Sequence, residues 1–135
     1  MAKLIDIEGI GPKYAATLKE KLGISTVEEL LEMGASRKGC AEIAEKTGIG
    51  DAHILRWVNM ADLVRIKGIG EEFSDLLEKA GVDTVKELRT RKAENLHAKM
   101  VEVNEASNRT RRAPGLSEVE GWIRQATQLE PKVTH

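Results

Sequence analysis

The chain has 135 residues and a formal net charge of −1, so the basic excess of a dedicated nucleic-acid binder is absent and any cationic surface must be local. Hydrophobic residues make up 41% of the chain but aromatic residues only 3%, a composition that favours helices over a β-sandwich. The single cysteine, Cys40, excludes an intramolecular disulfide and fits a cytoplasmic protein, while the lack of a signal-peptide core or an apolar run of about 20 residues predicts no association with membranes.

Four helices are predicted in the first half of the chain. Pro12 suits a first helical turn, and Gly23 is a favourable stop for the helix that it opens. The LIDI segment before them could form a short strand, but no stretch alternates convincingly. The first predicted helix is Pro12–Leu22, and the second begins at Ser25 or Thr26 and ends at Gly34, with Glu28 or Glu29 completing a capping box. The third runs from Ser36 to about Lys46, and the fourth is capped by Asp51.

The second half repeats this order of turns and helices. Its helices carry apolar residues at helical spacing, and a basic loop at 109–115 precedes the last of them. The predicted helices are Glu71–Ala80 stopped by Gly81, one capped by Thr84 and Glu87, the segment KAENLHAKMVEVNEA at 92–106, and Leu116–Leu129.

The two halves match each other in sequence. The phrase DIEGIGPKY matches RIKGIGEEF, and LGISTVEEL matches AGVDTVKEL. GDAHILRWVNMA matches GLSEVEGWIRQA, which pairs Trp57 with Trp122, and both rings are expected in the core. We therefore predict an internal duplication with halves 1–61 and 62–130 and a C-terminal tail 131–135.

A Gly-Ile-Gly phrase stands directly before a helix in each half. Glycine reaches positive φ without steric cost, so the phrase allows a sharp turn. The helix that follows presents unpaired amides and the positive end of its dipole, where an anion such as a phosphate can bind. The glycines alone are compatible with a purely structural turn and with a phosphate site.

The residues around these phrases resemble a known motif. IEGIGPKYAATL resembles the helix-hairpin-helix motif, and TGIG and APGLS resemble the second hairpins of tandem pairs. From residue 2 to about 130 the chain resembles a bacterial family of unknown function made of duplicated pairs, with ADLVRIKGIGEEFSDLL and VKELRTRKAENLHAKMVEVN as further distinctive parts. The resemblance implies an all-α fold of two pseudo-symmetric SAM-like units packed as one compact domain. For the wider motif class it implies sequence-independent contact between hairpin amides and DNA phosphates.

The two turns differ in charge. Lys13 adds a cation after the first, whereas Glu71 and Glu72 follow the second and would repel a phosphate. We therefore expect the first turn to be the better phosphate site and the second to be mainly structural. The candidate phosphate-binding residues are Gly9, Gly11, Lys13, Gly68 and Gly70.

Basic side chains are concentrated between residues 86 and 112, where eight of them face four acidic ones. A solvated charged surface and a binding patch are equally compatible with this excess. The basic residues before the APGLS segment could make its hairpin cationic. The candidate basic patch comprises Arg89, Arg91, Lys92, Arg109, Arg111 and Arg112.

No pattern predicts an enzyme, a metal site or a cofactor. A dinucleotide fingerprint needs a third glycine, and Tyr14 and Phe73 stand in its place. The histidines are scattered and Cys40 has no partner at ligand spacing. The sequence favours a non-enzymatic module that binds the DNA or RNA backbone weakly and without sequence preference. The alternative is a protein-interaction or structural adaptor module whose partner is another protein.

Overall fold

The computed structural model describes residues 3–7, 9–108 and 110–134, so the basic candidate Arg109 lies outside the described residues. Within these ranges the regular structure is helical, apart from one isolated antiparallel bridge between Lys3 and Thr26, and the predicted all-α class is confirmed. The elements are a 3-10 helix Leu4–Asp6, α1 Pro12–Leu22, α2 Val27–Gly34, α3 Arg37–Thr47, α4 Asp51–Leu63, α5 Glu71–Lys79, α6 Val85–Leu88, α7 Ala93–Ser107 and α8 Leu116–Gln128.

Local capping chemistry determines where several helices begin. At the start of α2, the Thr26 hydroxyl accepts the Glu29 amide at 3.2 Å, and the Glu29 carboxylate accepts the Thr26 amide at 3.0 Å. The Thr84 hydroxyl accepts the Glu87 amide at 3.1 Å in front of α6, and Ser36 caps α3. Each bond pairs an amide that the first helical turn leaves open, and the caps predicted at these positions are confirmed.

The structure decides one open alternative and corrects one local prediction. The LIDI segment forms the 3-10 helix rather than a strand, because Asp6 closes a turn on Lys3. The Asp6 amide donates to the Lys3 carbonyl at 3.0 Å, and the Asp6 carboxylate accepts the Lys3 amide at 3.1 Å. The turn directs Leu4 and Ile7 into the core. Asp51, predicted as a cap, is the first residue of α4.

The chain forms two compact units, one of Met1–Asp62 with Lys132–His135 and the other of Leu63–Pro131. In the first unit, α3 packs against α1 and α2. Thr134 belongs to this unit, and its amide donates to the Ala35 carbonyl at 2.7 Å. The interior is aliphatic around one indole ring. Its buried side chains include Leu18, Ile24, Leu30, Ile43, Ile54, Trp57 and Val58.

In the second unit, α7 packs against α5 and α8, and α6 packs against α8. The half-buried Arg89 connects the ends of two helices, since its Nη2 donates to the Leu129 carbonyl at 2.8 Å. The core contains Leu76, Leu77, Val85, Leu88, Met100, Val119 and Trp122.

Both tryptophans are buried, as the sequence predicted: Trp57 is 1% exposed and Trp122 is 3% exposed. Each lies on the last long helix of its unit, α4 or α8, and packs beside a Gly-Ile-Gly turn. The two rings therefore fix the position of the turns that the sequence singled out.

Candidate phosphate-binding site

The first glycine turn, residues 9–11, is closed by the Ile10 amide, which donates to the Ile7 carbonyl at 3.1 Å. Gly9 has φ +94°, a conformation that an L side chain rarely adopts. A Cβ at Gly9 would stand 3.2 Å from Trp57 Nε1 and 3.2 Å from Arg56 Nη1. Backbone conformation and close packing both require glycine here, so Gly9 has a structural explanation.

Gly11 has no such explanation. It is the N-cap of α1 with φ −85° and ψ 179°, extended backbone that any residue adopts. A Cβ added to it would meet no atom within 4 Å, and no side chain caps the helix. Pro12 has no N–H, and the amides of Lys13 and Tyr14 in the first turn have no partner inside the helix. The open space at Gly11 therefore gives an outside group access to the start of α1.

The charged side chain in the first turn of α1 is a cation. Lys13 is exposed, and the first turn of α1 contains no acidic residue. The guanidinium of Arg56 lies beside Gly9, on the neighbouring helix α4. With the helix dipole, Lys13 favours an anion at the amides of α1.

Trp57, whose ring lies against Gly9, packs with two further aromatic rings. Tyr14 and Trp57 have ring centroids 5.0 Å apart, and the exposed His53 stacks on Trp57 at 5.7 Å and 27°. Tyr14 and His53 are 6.1 Å apart. The first turn therefore has an aromatic cluster beside Gly9.

The second glycine turn, residues 68–70, has a similar backbone. The Ile69 amide donates to the Ile66 carbonyl at 3.1 Å, and Gly68 has φ +99°. A Cβ at Gly68 would lie 3.0 Å from Trp122 Nε1, so glycine is required there as at Gly9. Gly70, like Gly11, is an extended N-cap whose Cβ would meet nothing within 4 Å.

Two features distinguish the second turn from the first. Its helix, α5, begins with the exposed carboxylates of Glu71 and Glu72, which satisfy the helix dipole and oppose an anion. Gln125 also clamps the turn: its Oε1 accepts the Lys67 amide at 2.9 Å, and its Nε2 donates to the Lys67 carbonyl at 3.0 Å. At the same distance after Trp57, the first unit has the apolar Met60.

The ring beside the second turn is covered by an ion pair. Phe73 packs on Trp122 at 5.2 Å, and the Arg112 guanidinium lies 5.5 Å from the Phe73 centroid. Arg112 Nη1 is 2.6 Å from Glu118 Oε1, and Nη2 is 3.1 Å from Oε2. These bonds, with one from the Gly115 amide, lower the pKa of Glu118 from 4.5 to about 2.

This pKa predicts an acid-sensitive contribution to stability. Because the folded pKa of Glu118 lies below its unfolded value, the contribution is complete above about pH 4.5 and is lost as the pH falls towards 2. Glu118→Gln should therefore lower the free energy of unfolding at about pH 6, and the difference from wild type should shrink on acidification. The effect is small, since the pair is partly solvated. Urea unfolding of the variant and wild type at about pH 6 and at acidic pH measures this difference in stability. A difference that does not change with pH would contradict the assignment.

The structure separates the predicted basic patch into different environments. Arg89 is half-buried and bound to the Leu129 carbonyl, and Arg112 is paired with Glu118. Arg91 Nη2 contacts Glu87 at 2.6 Å and donates to the Gly81 carbonyl at 3.0 Å. Exposed Lys92 lines a groove with Arg91, and Arg111 is exposed beside the paired Arg112.

Sequence reasoning missed Arg56 and Gln125. Both sit next to a glycine turn because of their spacing from a tryptophan on the same helix, Arg56 one residue before Trp57 and Gln125 three residues after Trp122. Their roles depend on how α4 and α8 approach the turns, and no local pattern encodes that approach.

The remaining reactive group is enclosed. Cys40 is buried in α3, its Sγ donates to the Gly34 carbonyl at 3.1 Å, and burial, with a smaller effect of Asp51, raises the pKa of its thiol. Among the described residues, no group of three His, Cys, Asp or Glu side chains has a metal-binding arrangement. No helix in the same part of the chain is long and apolar enough to cross a membrane.

Comparison with known proteins places the chain in a family. The model of a domain of unknown function, DUF4332, matches residues 8–129. The chain belongs to the DUF4332 family. The DUF4332 match includes both glycine turns, both tryptophans and the groove-lining lysines, so these features lie inside the family domain. No curated protein and no solved structure matches the chain.

Proposed function

We propose that the protein is a non-enzymatic helix-hairpin-helix module that binds the phosphate backbone of nucleic acid weakly and without sequence preference. The contact is made by the amides at the start of α1, at Gly11, Lys13 and Tyr14. Lys13 supplies an exposed cation in the same helical turn. Phosphate contacts of this kind carry no base information, so the same affinity is expected for unrelated sequences.

The observation that carries the proposal is the open space at Gly11. Gly70 shares this open, extended backbone, but only at Gly11 is the following first helical turn free of carboxylates. An N-cap position without a side chain leaves the amides of the first turn available to that group. A phosphate oxygen fits amides that are flanked by Lys13.

We further propose that each unit is a SAM-like pair of such motifs and that the two arose by duplication. The matching geometry supports this: each unit has a turn bond of 3.1 Å, a glycine of positive φ and an aromatic pair about 5 Å apart. After the duplication the two turns would have diverged. The second turn gained the carboxylates of Glu71 and Glu72 and the hydrogen bonds from the Gln125 side chain. That divergence favours the first turn as the phosphate contact.

Salt-dependent binding of a DNA duplex of about 20 base pairs tests the proposal. If about three phosphates are neutralised, the log–log salt slope is about −3, and affinity falls about 60-fold between roughly 50 and 200 mM salt. Lys13→Glu should weaken binding about tenfold or more, equally for two unrelated sequences, and reduce the slope by about 1. Fluorescence anisotropy measures both quantities.

Lys19→Glu is the matched control, because it makes the same charge change on an exposed position at the other end of α1. It should retain nearly all of the wild-type affinity. Equal losses in the two variants would assign the effect to net charge and not to the turn. An absence of binding to DNA and RNA at low salt would reject the proposal.

One set of observations favours a protein-interaction or structural adaptor as the second candidate. The net charge is −1, and the helix after the second turn begins with Glu71 and Glu72. Two arginines of the candidate patch, Arg89 and Arg112, are bound within the chain. If the folded wild-type protein does not bind nucleic acid, the adaptor function is favoured and both glycine phrases serve only as turns.

A further inference from the structure

We propose that the second unit contains a separate binding site for a phosphomonoester group, in a groove of about 310 Å³ beside the first turns of α7. Three cationic side chains, Arg91, Lys92 and Lys99, line this α7 groove together with Asn95 and Thr90. Lys92, Asn95 and Lys99 recur at helical spacing and so share one face of the α7 region. No carboxylate is among the lining residues.

The charge available in the α7 groove matches a dianion. Arg91 is fixed by Glu87, which compensates its charge, and by the Gly81 carbonyl. Lys92 and Lys99 form no ion pair with a carboxylate in the described part of the chain. The two uncompensated lysines therefore correspond to the two negative charges of a phosphomonoester near neutral pH.

Hydrogen-bonding capacity points the same way. Asn95 is exposed, and its amide group can donate to a phosphate oxygen. The Thr90 hydroxyl already donates a hydrogen bond to the Glu87 carbonyl at 2.7 Å, so towards a ligand it can only accept one. The donors that face the groove are thus mainly cationic, which suits oxygen atoms that carry full charge.

The floor of the α7 groove is apolar. Ala80 and Leu96 are 7% and 3% exposed and lie beneath the cationic side chains. The volume is at the lower end of the range for small-molecule sites, enough for a phosphate together with a sugar or a base. A concave site of this kind encloses a terminal phosphate with three free oxygens better than an internal phosphodiester with two.

Titration calorimetry of the full chain with inorganic phosphate, adenosine 5′-monophosphate and adenosine tests the site. The monophosphate should bind, inorganic phosphate should bind more weakly, and adenosine should not bind. The double variant Lys92→Ala/Lys99→Ala should weaken monophosphate binding by about tenfold for each lysine. Its control is Lys38→Ala/Lys46→Ala, which removes the same charge from exposed positions of α3.

The phosphomonoester could belong to the end of a nucleic-acid strand or to a free mononucleotide. Binding of one single strand, measured with and without a terminal phosphate, distinguishes these two sources. Tighter binding of the phosphorylated strand, lost in the groove variant, assigns a strand end; equal binding of both strands assigns the free ligand. The proposal is overturned if the monophosphate does not bind at millimolar concentration, or if the groove and control variants weaken it equally. The site is independent of the first glycine turn, so duplex binding that responds only to Lys13 would leave the proposed function standing.

Discussion

Replacing Trp57 by alanine should lower the free energy of unfolding by about 3–5 kcal/mol. The ring is 1% exposed, packs on Tyr14 with centroids 5.0 Å apart, and lies against Gly9. Its removal deletes the largest buried side chain of the first unit and leaves a cavity that rigid helices refill only in part. Trp122→Ala should have a comparable cost in the second unit, where the ring packs on Phe73 at 5.2 Å.

Urea unfolding followed by circular dichroism measures these changes. Leu55→Ala is the matched control on α4, because Leu55 is 41% exposed and should change stability by less than about 0.5 kcal/mol. In wild-type protein, neither indole should be readily quenched by a soluble quencher. Ready quenching, or tryptophan variants as stable as the Leu55 control, would contradict the packing described for both units.

Substitution by serine should lower the free energy of unfolding at Gly9 but not at Gly11. Gly9→Ser forces a side chain to φ +94° and into contact with Trp57, and should cost about 1–3 kcal/mol. Gly11→Ser places a favoured N-cap residue in open space and should leave stability unchanged or slightly raised. Thermal and urea unfolding of the two variants, side by side, measure the difference.

The second turn supplies the internal control for this pair. Gly68→Ser should destabilise like Gly9→Ser, because Gly68 has φ +99° and lies against Trp122, and Gly70→Ser should be neutral like Gly11→Ser. Equal stability of the Gly9 and Gly11 variants would show that the two glycines do not have the distinct roles that their geometry indicates.

Local sequence was sufficient to predict the helices. The capping residues Thr26, Ser36 and Thr84 and the stop at Gly23 act within one turn of the backbone, so short-range chemistry encodes them. The LIDI segment was ambiguous because its apolar residues suit a strand as well as a short turn. The two hydrogen bonds between Lys3 and Asp6 decide the outcome.

The candidate sites were only partly predictable, since long side chains find partners across the fold. The charge excess at 86–112 is visible in the sequence, but the bond of Arg89 to Leu129, 40 residues away, is not. The pairing of Arg112 with Glu118 likewise depends on how the loop before α8 folds back on that helix. A count of charges therefore overestimates the cations that are available to a ligand.

Whether the amides at the start of α1 hold a phosphate is measured by the duplex affinity of Gly11→Ser at low salt. A serine there fills the open space, and its hydroxyl competes for the amide that the phosphate would use. Binding should weaken by about tenfold or more with stability intact, since at least one charge-assisted hydrogen bond is lost, while Gly70→Ser should bind like wild type. Undiminished affinity of the Gly11→Ser protein, or an equal loss in both serine variants, would contradict a phosphate site at the start of α1.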